Sequence, residues 1–121
     1  MINVVNIPKI YTYPLCGQVS KLIPFTPKEI RKTTNGVFFV LHFDDIVIGA
    51  AKIVNNEMID FIIDKSHQSK YNSLLLLTIL DQIPMLSVVV NKEKHNFISF
   101  LLNYKFMIAK RTKKYIYLVS C

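Results

Sequence analysis

The chain has 121 residues, a mass of 14.0 kDa and a mean hydropathy of +0.31, with 51% hydrophobic and 19% charged residues. This length holds a single domain, residues 1–121, and the balance excludes a disordered chain, which needs low hydrophobicity with high charge. Lys and Arg number 15 against 8 Asp and Glu, and the resulting charge of +7 favours anionic partners such as a nucleotide or a nucleic acid.

Residues 1–36 hold Pro8, Pro14, Pro24 and Pro27, so an irregular opening is predicted there. One short helix is signalled within it. Thr26-Pro27-Lys28-Glu29 reads as N-cap, proline at the first helical position and a capping-box Glu, with a stop at Asn35-Gly36. The pattern then turns to strands: Val37–Phe43, a turn at Asp44-Asp45, Ile46–Val54, a turn at Asn55-Asn56, and Glu57–Asp64. From Gln68 to Gln82 the apolar residues are too many for one strand and predict a helix buried on most sides. Leu86–Val90 is a short buried strand. Lys94–Tyr104 is a second helix with Phe97, Ile98, Leu101 and Leu102 at core spacing. Phe106–Lys110 and Tyr115–Val119 close the chain as strands. This order predicts a mixed α/β (α+β) sheet with helices on its faces, built from residues 37–121.

Cys16 and Cys121 make neither a disulfide framework nor a zinc site, so free thiols in a reducing compartment are expected. His42, His67 and His95 do not stand at ligand spacing from Cys, Asp or one another, and no metal is expected. Met1–Asn6 lacks a basic region followed by a long apolar run, so no export signal is read. Leu74–Val90 is broken by Asp81, Gln82 and Pro84, short of the roughly 20 apolar residues of a spanning helix. A cytoplasmic protein, of a cell or of an infected host, without membrane contact is expected. Arginine occurs only at Arg31 and Arg111, a bias toward Lys that fits AT-rich coding in phages, viruses and some bacteria.

Two stretches carry a resemblance to a known family. Ile62-Ile63-Asp64-Lys65-Ser66-His67-Gln68-Ser69-Lys70-Tyr71-Asn72-Ser73 is similar to the fourth strand and Q/R-x-x-G-x-G/A loop of the GNAT superfamily of N-acyltransferases. Val90 to Phe106 is similar to that family's next strand, Asn-led helix and terminal Gly-Phe. The resemblance spans Val37 to Leu118; the family's usual first strand and paired helices are not evident in the opening. It implies a mostly antiparallel, twisted sheet flanked by helices. It also implies transfer of an acetyl or other acyl group from acyl-CoA to an amine acceptor.

The implied site follows residue by residue. Backbone groups of Ile62 and Ile63 would pair with the pantetheine arm, and Gln68, Ser69, Lys70, Tyr71, Asn72 and Ser73 would hold the diphosphate. The physics is that of a helix N-terminus, whose free N–H groups and dipole attract phosphate. Tyr71 and Ser73 stand where the family has glycines, and Tyr71 cannot take a glycine-only conformation without strain. Glu57 matches the base position of the family's histone-acetylating members, and Asp60 is the second carboxylate; a base is needed because an ammonium has no lone pair. The family's acid, a tyrosine, falls on Leu101. Tyr104, one turn on, is the substitute. The family's Asn and Gly positions hold Lys94 and Lys105.

A second reading stays open. Lys110, Arg111, Lys113 and Lys114 surround a predicted hairpin turn followed by Tyr115 and Tyr117, a pattern that can grip a nucleic-acid backbone or can simply be solvated. On that reading the protein is a catalytically inactive binding or virion accessory protein, or a phage-type nucleic-acid-modifying enzyme. The apolar closing strand allows a monomer or a homodimer.

Overall fold

The computed structural model describes residues 1–24 and 36–120. In chain order the strands are Ile2–Ile7 (β1), Gly36–Phe43 (β2), Ile46–Val54 (β3), Glu57–Ile63 (β4), Ser87–Asn91 (β5), Phe106–Arg111 (β6) and Tyr115–Ser120 (β7). The described α-helices are Cys16–Leu22 (α1), Gln68–Gln82 (α2) and His95–Leu102 (α3), and 3-10 turns at Ile10–Thr12 and Lys65–His67 lead into α1 and α2. The strands form one 7-stranded sheet in the order β1-β2-β3-β4-β5-β7-β6. Every neighbouring pair is antiparallel except β4 and β5, which are parallel because α2 carries the chain back across the sheet. The expected mixed, mostly antiparallel sheet flanked by helices is the one observed.

The opening is more regular than its prolines suggest. Ile2, Val4, Val5 and Ile7 suit a strand, and β1 pairs with β2 from Ile2↔Phe43 to Ile7↔Phe38. Pro8 follows β1, Pro14 precedes α1 and Pro24 follows it, so these prolines delimit short elements instead of preventing them. The helix expected at Thr26–Asn35 lies outside the described residues.

The hairpin turns follow the residues predicted for them. Asn55 and Asn56 both take left-handed conformations (φ 51 and 63), the two-residue turn that matches strand twist. At the other turn Asp44 alone does so (φ 51).

The sheet has two covered faces. One, packed by α2 and α3, buries Phe39, Leu41, Ala51, Ile53, Met58 and Ile63 against Leu75, Leu76, Ile79, Ile98 and Leu101. The other buries Phe38, Val40 and Ala50 under Ile10, Val19 and Ile23 of the α1 segment. Alternation along β2 and β3 sorts these sets. On α2 the burial is one-sided: Leu75, Leu76 and Ile79 are buried, whereas Leu74 and Leu77 are exposed. A helix lying on a single sheet face offers its opposite side to solvent, which corrects the expectation of burial on most sides.

A buried hydroxyl ties β5 to β7. Ser120 is buried, and its hydroxyl donates to the Pro84 carbonyl at 2.7 Å while accepting from the Leu86 N–H at 2.8 Å. This holds the entry of β5 against the end of β7. Beyond α3, Lys105 has φ 67, a left-handed conformation that costs a residue with a Cβ about 1 kcal/mol or more. Lys105→Gly is therefore expected to raise stability by about 1 kcal/mol, read as a higher urea midpoint at unchanged slope. Among the described residues no helix is long and apolar enough to cross a membrane.

Candidate active site

The site begins with one extra residue. Opposite β3, Lys52 pairs with Asp60 but Ile53 pairs with Met58, so Ile59 is bulged out of β4. A bulge bends its strand and disrupts the ladder locally, and here pairing with β3 resumes at Asp60. The described β4–β5 register is accordingly a single pair, Glu57↔Ser87, next to the bond from the Ser87 N–H to the Asn56 carbonyl at 2.9 Å. Past that point the strands part, while β5 stays zipped to β7 from Ser87 to Asn91.

The gap is a cavity of about 330 Å³ whose walls include Asp60, Ile62, Val89, Asn91, Lys94 and Tyr115. A second cavity of about 260 Å³ lies between β4, α2 and α3, against Ile63, Asn72, Asn96 and Phe100. Phe61 and Phe97 line both. Their ring centroids are 5.7 Å apart, and Phe100 lies 5.9 Å from Phe61. The rings of Phe61 and Phe97 thus form a partition between the strand gap and the inter-helix groove.

The bulge also sorts side chains. Cross-strand partners share a face. Phe61 opposes Ala51 on the α2–α3 side, whereas Ile62 opposes Ala50 on the α1 side. Asp60, opposite Lys52, belongs with Ile62. Glu57, opposite Val54, stands on that same side at the closed end of the gap, half-buried. Both candidate carboxylates therefore share one face, and Asp60 is the one that lines the cavity.

At the other end of β4 the Ile63 strand end runs through the 3-10 turn into α2. The expected loop is already helix: Gln68 is its first residue, and Ser69, Lys70, Tyr71, Asn72 and Ser73 follow inside it. Tyr71 is not among the residues with positive φ, so the strain expected from a ring at a glycine position does not arise. Its ring packs 6.0 Å from the His67 ring, with the Lys70 ammonium 5.4 Å from its centroid. The first N–H groups of a helix have no intrahelical acceptor, so this terminus, with Lys65 and Lys70 beside it, favours an anion. Asp64 is turned to local work: its carboxylate accepts from the Ser66 hydroxyl at 2.9 Å. That bond, helped by the neighbouring His67, holds Asp64 below the usual carboxylate range.

The tyrosine in the cavity wall is Tyr115 on β7. Tyr104 follows α3 and packs 5.1 Å from the Phe100 ring, outside both cavity linings. Leu101 is fully buried in the core. Sequence reasoning missed Phe97, Asn96 and Tyr115 as cleft residues. The helical spacing of Phe97, Phe100 and Tyr104 was a usable signal, since it places them on a different stripe from Ile98 and Leu101. In the hairpin, Ala109 is an extra residue that re-registers β6, so Lys110 opposes Tyr117 while Arg111 opposes Ile116. The four hairpin cations are therefore divided between the faces and the turn.

The chain superposes on an IAA acetyltransferase from Bacillus cereus with a TM-score of 0.75 at 14% identity, covering 99% of each chain. A GNAT family acetyltransferase from Elizabethkingia anophelis, solved with acetyl-CoA bound, gives a TM-score of 0.74 at 12% identity over 98% of this chain and 97% of that one. The fold is that of the GNAT acetyltransferases. An N-acetyltransferase from Campylobacter jejuni shares this GNAT fold with a TM-score of 0.68 at 14% identity, covering 98% of this chain and 96% of that one. No protein-family profile matches the sequence, and no curated protein does. The GNAT likeness is one of backbone, carried by sequences that share about one residue in seven.

Proposed function

We propose that the protein is a cytoplasmic N-acyltransferase that takes an acyl group from acyl-CoA and passes it to an amine. The observation that carries this reading is the parting of β4 from β5 beyond Ile59, with a helix N-terminus at one end of the opening and Asp60 in its wall. Several features fit an acyl-CoA. The stretch of β4 that faces the opening, around Ile62, can offer backbone groups to the amides of the pantetheine arm. The first turn of α2 at Gln68 and Ser69, with the cations Lys65 and Lys70, suits the diphosphate, and Asn72 lines the groove between.

The two faces divide the labour. The thioester is reached from the α2–α3 side, and the acceptor from the side that carries Glu57, Asp60 and Ile62. The nitrogen lone pair of the neutral amine attacks the thioester carbonyl; the C–N bond forms as the C–S bond breaks. Asp60 takes the amine proton, and the phenol of Tyr115, which lines the same cavity, is the proton donor to the departing thiolate on this reading. Glu57, at the closed end, adds negative charge that draws a cationic acceptor inward.

Isothermal calorimetry with acetyl-CoA and with desulfo-CoA tests the reading. Binding of both at micromolar concentration is expected. No heat at millimolar ligand would overturn it. One observation favours a second reading, binding without turnover: the position of the family's acid is filled by the buried Leu101. Tight binding with no acyl transfer to any of a panel of amines would select it.

A further inference from the structure

A third cavity, of about 350 Å³, lies between α3 and the β6–β7 hairpin and shares no lining residue with the strand gap. Its lining is Lys92, His95, Ser99 and Arg111 over an apolar floor of Ile98 and Ile116. Among the described residues none of these cations has a carboxylate within ion-pair distance; the ion pairs found there are Met1–Asp44 and His67–Asp64. Glu93, the acid of this segment, is exposed and outside the lining. Lys113 and Lys114, both exposed, continue the positive charge along the turn.

The segments that carry these groups are held in place. The Lys92 N–H donates to the Lys114 carbonyl at 2.9 Å, tying the β5 exit to the hairpin turn. The Thr112 hydroxyl accepts from the Tyr115 N–H at 3.0 Å and closes that turn. The Asn91 side chain accepts from the Glu93 N–H at 2.9 Å, and its carbonyl accepts from the Lys94 N–H at 3.0 Å. Like charges brought together on fixed backbone repel one another, and this repulsion is relieved when an anion sits among them. Groups able to donate line the cavity from both walls (an ammonium, a guanidinium, an imidazole and a hydroxyl), and no carboxylate is among them. A tetrahedral phosphate accepts from several directions at once, where a planar carboxylate offers two oxygens in one plane.

We propose that Lys92, His95, Ser99 and Arg111 form a phosphate-binding site for the backbone of a nucleic acid, with Lys113 and Lys114 engaging the neighbouring phosphates. The extension of charge beyond the cavity is what points to a polymer. Lys110 is not part of the site, because the Ala109 bulge turns it to the other face, over the Tyr117 ring at 5.6 Å. This site does not depend on acyl transfer, so the calorimetric result with acetyl-CoA leaves it standing or falling on its own test.

That test is fluorescence anisotropy with a short labelled single-stranded oligonucleotide across salt concentrations. For about three phosphates contacted, affinity is expected to fall roughly 20-fold between about 50 and about 200 mM salt. The double variant K92S/R111S is expected to bind about 10-fold more weakly at low salt, with the slope of log K against log salt reduced by about one. K110S is the control and is expected to bind within about twofold of the parent. Thermal midpoints of all three proteins establish that they are folded. Several results would overturn the proposal: no binding at micromolar protein in low salt, an unchanged double variant, or equal losses from K110S and the double variant. Competition by polyglutamate as strong as by unlabelled oligonucleotide would replace the nucleic acid with an acidic peptide. Pyrophosphate binding as tight as the oligonucleotide would reduce the site to one for small anions.

Discussion

Asp60→Asn is expected to lower kcat for acyl transfer about 100-fold while leaving the dissociation constant for acetyl-CoA within about threefold. Asp60 lines the opening between β4 and β5, on the side that also carries Glu57 and Ile62. Asparagine keeps the shape and removes the proton acceptor, so the loss belongs to the proton-transfer step and not to packing. Glu57→Gln is the comparison. Glu57 sits at the closed end, beside the Glu57↔Ser87 pair, and its loss is expected to raise KM for a cationic acceptor more than it lowers kcat. Steady-state kinetics of both variants with one amine settle the roles. If Glu57→Gln loses the larger factor in kcat, the base is Glu57; if neither changes kcat, neither carboxylate takes the proton.

Phe97→Ala is expected to bind acetyl-CoA about 10-fold more tightly, a gain of about 1.4 kcal/mol, in a protein about 2 kcal/mol less stable. The Phe61 and Phe97 rings, 5.7 Å apart, separate the cavities of about 330 and 260 Å³. An arm running from the first turn of α2 to the strand gap has to displace that partition. Each displaced ring gives up aromatic contacts worth about 0.5–1.5 kcal/mol, and the alanine variant has none to give up. The stability loss has the opposite sign because Phe97 packs on Phe61 and Phe100 in the free protein. Calorimetry and urea unfolding measure the two effects separately. Equal or weaker binding by the variant would mean that the rings hold the arm instead of obstructing it.

Much of the frame was legible because its signals are local. The β-branched runs of β2 and β3, the Asn55-Asn56 turn and the apolar density of α2 each encode their element within a few residues. Proline content alone predicts an irregular opening, but spacing decides the outcome: Pro8, Pro14 and Pro24 fall between elements. The site was harder to read. Ile59 looks like any other strand residue in Glu57-Met58-Ile59-Asp60-Phe61. Strict alternation from Met58 would send Asp60 toward the helices and Phe61 away from them. The observed pairing with β3 does the reverse, and only contact across strands reveals it. Tyr71 is free of the expected backbone strain for a related reason: a motif fixes spacing, but where the helix begins decides which backbone conformation each position needs.

The Ile59 bulge separates two properties that usually change together in a sheet. Remove that residue and Met58, Asp60, Phe61, Ile62 and Ile63 still alternate inward and outward as they do now, so no side chain changes compartment. What disappears is the bend that keeps β4 off β5. An ancestral chain could thus have gained or lost its opening through one codon without re-sorting its interior, and a filled scaffold and a hollowed catalyst can be immediate neighbours in sequence space.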